Sequence, residues 1–143
     1  MSQPDELHEG APSLPPGWTR VPLGEVAEHV LGKMLDKATA KEGEYLPYLR
    51  NLNVRWGSFA LEDRKEMPVL EAQLDRYGSR GGGVLVCEGG EPGRAAVWRD
   101  GKTALKFQKA LHRVRPGDRL DAAWLGHHLK ADANSGRLSD YFS

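Results

Sequence analysis

The sequence predicts a mixed α+β fold, a single domain with a strand-rich centre and short helices near both ends. Three observations predict it. Val84-Leu85-Val86-Cys87 and Ala95-Ala96-Val97-Trp98 are short apolar runs on either side of a Gly- and Pro-containing turn, which is the signature of a β-hairpin. Apolar residues at helical spacing recur near residues 23–30 and again at 124–129, which predicts helices towards the two ends. The length of 143 residues suits one domain able to bury its own core.

Residues 1–16, MSQPDELHEGAPSLPP, are polar, acidic and Pro-rich, and read as a disordered lead-in to a domain spanning 17–143. Trp18-Thr19-Arg20-Val21 is expected to be a short strand. Leu23, Val26, Ala27 and Val30 share a helical face, so a helix is expected over 24–31, ended by Gly32. Tyr45 to Leu49 is a strand candidate. Beyond it, Arg50-Asn51-Leu52-Asn53-Val54-Arg55-Trp56 alternates in polarity. A period of two sends Arg50, Leu52 and Val54 to one face and Asn51, Asn53 and Arg55 to the other. Leu70, Leu74 and Tyr77 suggest a helix over 71–77. After the hairpin, Asp100-Gly101 signals a tight turn and 105–114 reads as further strand. Asp121 is placed to cap a last helix in which Trp124, Leu125, His128 and Leu129 share a face, with Gly136 near its end.

Composition excludes several classes. The longest apolar runs fall far short of the roughly 20 residues of a membrane helix, and the first residues lack the basic-then-apolar pattern of a signal peptide. The one cysteine, Cys87, has no internal disulfide partner and sits in an apolar strand pattern, so a reduced, cytoplasmic setting is expected. None of the five histidines has a Cys or carboxylate at metal-ligand spacing, so no metal or other cofactor is expected. There is no Gly-x-Ser-x-Gly elbow and no P-loop. Glu88 and Glu91 are a carboxylate pair of the kind a hydrolase uses, but no sugar-binding aromatic platform lies beside them in the sequence. A non-catalytic domain is expected.

Charge is balanced overall, with 20 Lys and Arg against 20 Asp and Glu, but it is unevenly placed. From Arg94 to Arg115 seven basic residues face one acid, a local +6, whereas residues 1–49 carry −4. Such a stripe suits phosphate contacts. Within it Arg94 follows the turn Glu88-Gly89-Gly90-Glu91-Pro92-Gly93, whose glycines let a backbone approach a partner closely. The planar fork of Arg94 suits phosphate or a guanine edge. The polar face of 50–56 offers groups for base edges. Trp18, Trp56, Trp98 and Trp124 are read as core residues rather than stacking platforms, because three of them lie within or beside apolar runs.

Four stretches together resemble the target recognition domain of type I restriction–modification specificity subunits. They are Leu14-Pro15-Pro16-Gly17-Trp18 with Val21-Pro22-Leu23-Gly24-Glu25-Val26; Gly32-Lys33-Met34-Leu35 followed by Tyr45 to Val54; Val84 to Arg94; and Lys106 to Pro116. Their order covers residues 14 to about 142. The resemblance implies a domain that reads one half of a split double-stranded DNA target, while a methyltransferase subunit, and possibly a restriction subunit, supply the chemistry. A homodimer is also compatible with it. On this reading, the DNA-facing set expected from residue chemistry is Lys33, Arg50, Asn51, Asn53, Arg55, Gly89, Gly90, Arg94, Lys102, Lys106 and Lys109. Two departures stand out. Only one recognition domain is present, ending at Ser143 where such subunits continue into a spacer helix, and Ser79-Arg80-Gly81-Gly82-Gly83 replaces an expected Pro-Gly-Asp turn. The competing expectation is a protein-interaction module that contacts a partner without reading DNA.

Overall fold

The computed structural model describes residues 13–34, 42–63, 65–73, 83–88, 90–99 and 106–138. Among them, nine strands and two helices form a mixed α+β domain. Helix α1 (Leu23–Val26) runs directly into strand β1 (Ala27–Leu31). Strands β2 (Glu44–Leu49), β3 (Val54–Arg55), β4 (Ser58–Phe59) and β5 (Lys65–Val69) follow. The hairpin is β6 (Gly83–Cys87) and β7 (Ala95–Trp98), and after it come β8 (Lys106–Phe107), β9 (Leu111–Pro116) and helix α2 (Ala122–Asn134).

Two sheets make the frame. The larger is antiparallel in the order β1-β9-β6-β7, and the smaller has the order β5-β2-β8 with β8 parallel to β2. Register explains the layering. Val84 lies opposite both Val97 and Val114, and Leu85 opposite Ala96 and Arg113. Side chains alternate faces along a strand, so Val84, Val114 and Ala95 turn to α2 and pack on Leu125. Leu85, Cys87, Ala96 and Trp98 turn the other way, onto Leu49, Val54, Phe107 and Leu111. Phe59 adds an edge-on contact with Trp98 at 5.0 Å between centroids. The core therefore lies between the two sheets, with α2 as a third layer on the far side.

The hairpin and the last helix form where the sequence predicts them, and Asp121 caps α2 by accepting from the Trp124 amide at 2.8 Å. Four expectations are corrected. Residues 18–21 are not a strand; a turn at 16–17 leads through extended chain into α1. The expected helix over 24–31 stops at Val26, because β1 finds hydrogen-bonding partners on β9, with His29 opposite Val114. The alternating strand over 50–56 is a 3-10 turn at Asn51–Asn53 followed by the short β3–β4 hairpin, so the two faces drawn from a period of two do not exist. A turn at 109–110 likewise divides the single strand expected over 105–114 into β8 and β9. A 3-10 turn occupies Glu71–Gln73, while the rest of the helix expected there and the Asp100-Gly101 turn lie outside the described residues.

Candidate nucleic-acid interface

The segments singled out in the sequence come from distant parts of the chain and meet at one end of the domain. The Gln108 amide donates to the Leu49 carbonyl at 3.0 Å, the Lys109 amide to Lys33 at 3.0 Å, and the Glu88 amide to Ala110 at 2.9 Å. Gly32 allows this approach: a β-carbon there would stand 2.0 Å from the Gln108 carbonyl oxygen. The Gly57 amide donates to Ala95 at 3.2 Å, bringing the β3–β4 turn to the root of β7. Loops 31–34, 50–57, 88–94 and 108–110 thus form one continuous rim.

Arg94 is the hub of this rim. Its Nε donates to the Val54 carbonyl at 2.6 Å, Nη2 to the Asn51 carbonyl at 3.0 Å, and Nη1 to Glu91 Oε2 at 3.2 Å. The side chain is only 13% exposed, so its fork points into the protein and not outward from the hairpin. Glu91 uses its other oxygen, Oε1, to accept from Trp56 Nε1 at 3.1 Å. Hydrogen bonds from Trp56 and then Arg94 hold the Glu91 carboxyl below the usual carboxylate range. The Cys87 thiol also reaches the Asn51 carbonyl, at 3.5 Å. Burial pushes that thiol up, against the pull of Arg94.

The other expected DNA-facing residues divide sharply. Asn53 is 0% exposed. Its Oδ1 accepts from the Arg50 amide at 2.9 Å and its Nδ2 donates to the carbonyls of Ala60 and Asp63 at 2.8 and 3.0 Å, which shapes the loop from within. Arg50 pairs with Asp63 at 3.0 Å. Lys33, 2% exposed, donates to Gln73 Oε1 at 3.0 Å, and Lys106 is 6% exposed. Asn51 is half-buried, with Oδ1 accepting from the Leu52 amide at 2.9 Å. Arg55 and Lys109 are exposed and, among the described residues, engage no acidic partner. Gly90 takes φ +74° beside Asn51. Gly89 and Lys102 lie outside the described residues.

Of the tryptophans, Trp98 is buried in the core as expected, whereas Trp18 and Trp124 are exposed and lie against each other at 6.2 Å between centroids. The Glu91–Arg94 pair is the contact that an acid three residues before an arginine in this turn leads one to expect. One feature had no clear sequence signal. His112 stacks on and hydrogen-bonds His29 and lies 3.5 Å from Glu88, a meeting of residues that are far apart in sequence. No group of three His, Cys, Asp or Glu side chains among the described residues is arranged to hold a metal ion, and none of the described helices is long and apolar enough to cross a membrane.

No protein-family model matches the chain, and no curated protein matches it significantly. Solved structures do. The HsdS subunit of Thermoanaerobacter tengcongensis superposes with a TM-score of 0.66 at 26% identity, over 90% of this chain and 30% of that one. A chain from a structural study of complex assembly and conformational transition in the type I restriction–modification system gives a TM-score of 0.63 at 27% identity, over 86% of this chain and 29% of that one. The present chain therefore spans less than a third of the length of either structure. In fold, and in matching one such portion along nearly its whole length, the chain resembles a single target recognition domain of a type I restriction–modification specificity subunit.

Proposed function

We propose that this chain recognises double-stranded DNA by sequence, as the non-catalytic specificity component that directs a methyltransferase subunit, and possibly a restriction subunit, in the cytoplasm. The observation that carries this reading is the convergence of loops 50–57, 88–94 and 108–110 on one rim. Arg55 and Asn51 supply hydrogen-bonding groups suited to base edges, and Lys109 a cation suited to phosphate. Arg50, Asn53, Arg94, Lys33 and Lys106 support the rim from behind. Gly90, with no side chain, lets a backbone approach the hairpin turn closely. Selection on a random duplex library, with and without the methyltransferase subunit, tests the proposal. A recurrent motif is expected, with affinity falling by about 0.9 log units per log unit of salt for each phosphate engaged. Absence of any motif, together with salt-insensitive binding, would sink it.

One observation favours a protein-contact role instead: Trp18 and Trp124 lie exposed and side by side at the surface, their rings tilted by 42°. Co-purification with a methyltransferase subunit, without DNA selectivity, is the outcome that reading expects.

A further inference from the structure

Resting on the DNA-reading role proposed above, we infer that Arg94 and Glu91 are positioning residues that set sequence selectivity by clamping the 51–56 loop to the hairpin turn, without touching DNA. The geometry is specific. The two carbonyls that Arg94 holds belong to Asn51 and Val54, at either end of the 3-10 turn. Glu91 then bridges Arg94 to Trp56. The fixed points at 51, 54 and 56 bracket Arg55, the exposed cation of the loop, and fix the backbone from which the Asn51 and Arg55 side chains project. Cys87 adds a weak contact to the same Asn51 carbonyl.

Base discrimination depends on side chains held to within roughly 0.5 Å of the productive geometry, because bidentate hydrogen bonds fail when the fork is displaced. Phosphate attraction is tolerant of such shifts, since it acts through charge. Loosening the clamp therefore separates the two quantities: selectivity falls while sequence-independent binding stays. Lysine cannot replace Arg94, because a single ammonium does not span two carbonyls and a carboxylate as a planar fork does.

The test compares the full-length chain with its Arg94→Lys, Glu91→Gln and Trp56→Phe variants. Each is titrated against a duplex carrying the wild-type-selected motif and against a scrambled duplex, across a series of salt concentrations. Arg94→Lys is expected to lower the affinity ratio between the two duplexes about 10-fold or more, the size of one lost bidentate contact. The salt slope and the affinity for scrambled DNA are expected to remain those of the wild type. Glu91→Gln and Trp56→Phe should give smaller losses in the same direction. A folded Arg94→Lys protein with an unchanged ratio would overturn the inference while leaving the DNA-reading role standing. A salt slope reduced by about 0.9 would also overturn it, by making Arg94 a phosphate contact. If Arg94→Lys fails to fold, the two milder variants decide by the same ratio: unchanged selectivity in both overturns the clamp. A wild-type chain with no preference between duplexes overturns the clamp and the DNA-reading role together.

Discussion

Gly90 lies tightly against Asn51: its backbone holds φ +74°, and a β-carbon there would stand 3.1 Å from Asn51 Nδ2. Both facts act in the same direction. An L-residue pays roughly 1–2 kcal/mol for this left-handed conformation, and the Asn51 carboxamide must yield. Gly90→Ala is expected to lower stability by about 1–2 kcal/mol, measured as a shift in the urea midpoint at constant slope. Gly90→Asn should recover part of the loss, because Asn visits this region more readily. Equal midpoints for wild type and Gly90→Ala would contradict the turn geometry.

Asn53 was expected to face DNA, yet it is a structural residue that satisfies one amide and two carbonyls inside the loop. Asn53→Ala removes this partner from the Arg50 amide and the Ala60 carbonyl, while the Asp63 carbonyl keeps Arg50 Nη2 at 3.3 Å, at a cost of about 1–3 kcal/mol. Asn53→Asp should cost more, since a carboxylate cannot donate to the carbonyls of Ala60 and Asp63. Equilibrium denaturation of the two variants measures both effects. A stability equal to wild type with altered DNA preference would restore the residue to the surface role.

Arg55 and Lys109 are exposed at the same rim, and their chemistry predicts different defects. Arg55→Ala should relax the preference at one base position, costing about 1–3 kcal/mol on the preferred duplex and little on a scrambled one. Lys109→Ala should weaken both duplexes alike and reduce the salt slope by about 0.9. Parallel fluorescence titrations distinguish the two patterns, and identical patterns would remove the division of labour.

The parts of the fold written in local chemistry were legible in the sequence. Glycines and Pro92 between two apolar runs mark the 83–98 hairpin, and Asp121 marks the start of α2 through a bond to an amide three residues on. The α1–β1 junction was not legible, because Leu23, Val26, Ala27 and Val30 fit a helix equally well and the deciding partner, β9, lies far along the chain. The 50–56 segment misled for a related reason: polar alternation also describes a 3-10 turn whose Asn53 faces inward. At the candidate site, the stretches were identifiable but the directions of their side chains were not. Arg94 turns inward because its acceptors are carbonyls 40 and 43 residues away, and no spacing rule reports such a contact. Residue type alone presents Lys33 and Lys106 as surface cations, yet both side chains are buried.

Cys87 sits in the core with its thiol pushed up by desolvation, outweighing the lowering effect of Arg94. The thiolate is the reactive species, so alkylation by iodoacetamide is expected to be slow in the native protein and to accelerate on unfolding. The linkage has a definite sign. A pKa raised on folding contributes stability that is complete below the unfolded thiol value, near 8.5, and is lost as pH rises through the folded value. Urea midpoints should therefore decline in mildly alkaline solution, and Cys87→Ser should flatten that decline. Rapid labelling of the native protein at neutral pH would contradict the burial.

Glu91 has the opposite sign. Hydrogen bonds from Trp56 and from Arg94 lower its folded pKa below the ordinary 4.5, so the carboxylate clamp contributes fully above that value. It is lost only as pH falls through the folded pKa. Between pH 5 and 8 the contacts to Trp56 and Arg94 should be constant, and DNA selectivity with them. Below about pH 4.5, protonation of Glu91 removes one charge from a bridge whose two donors remain in place. Trp56 shares its emission with Trp18, Trp98 and Trp124, so the signal is read as the difference between wild type and Trp56→Phe. That difference spectrum should change with a midpoint below 4.5, and Glu91→Gln should abolish the transition. A transition centred above 4.5, or one that persists in Glu91→Gln, would assign the proton to another group and leave the clamp without its carboxylate.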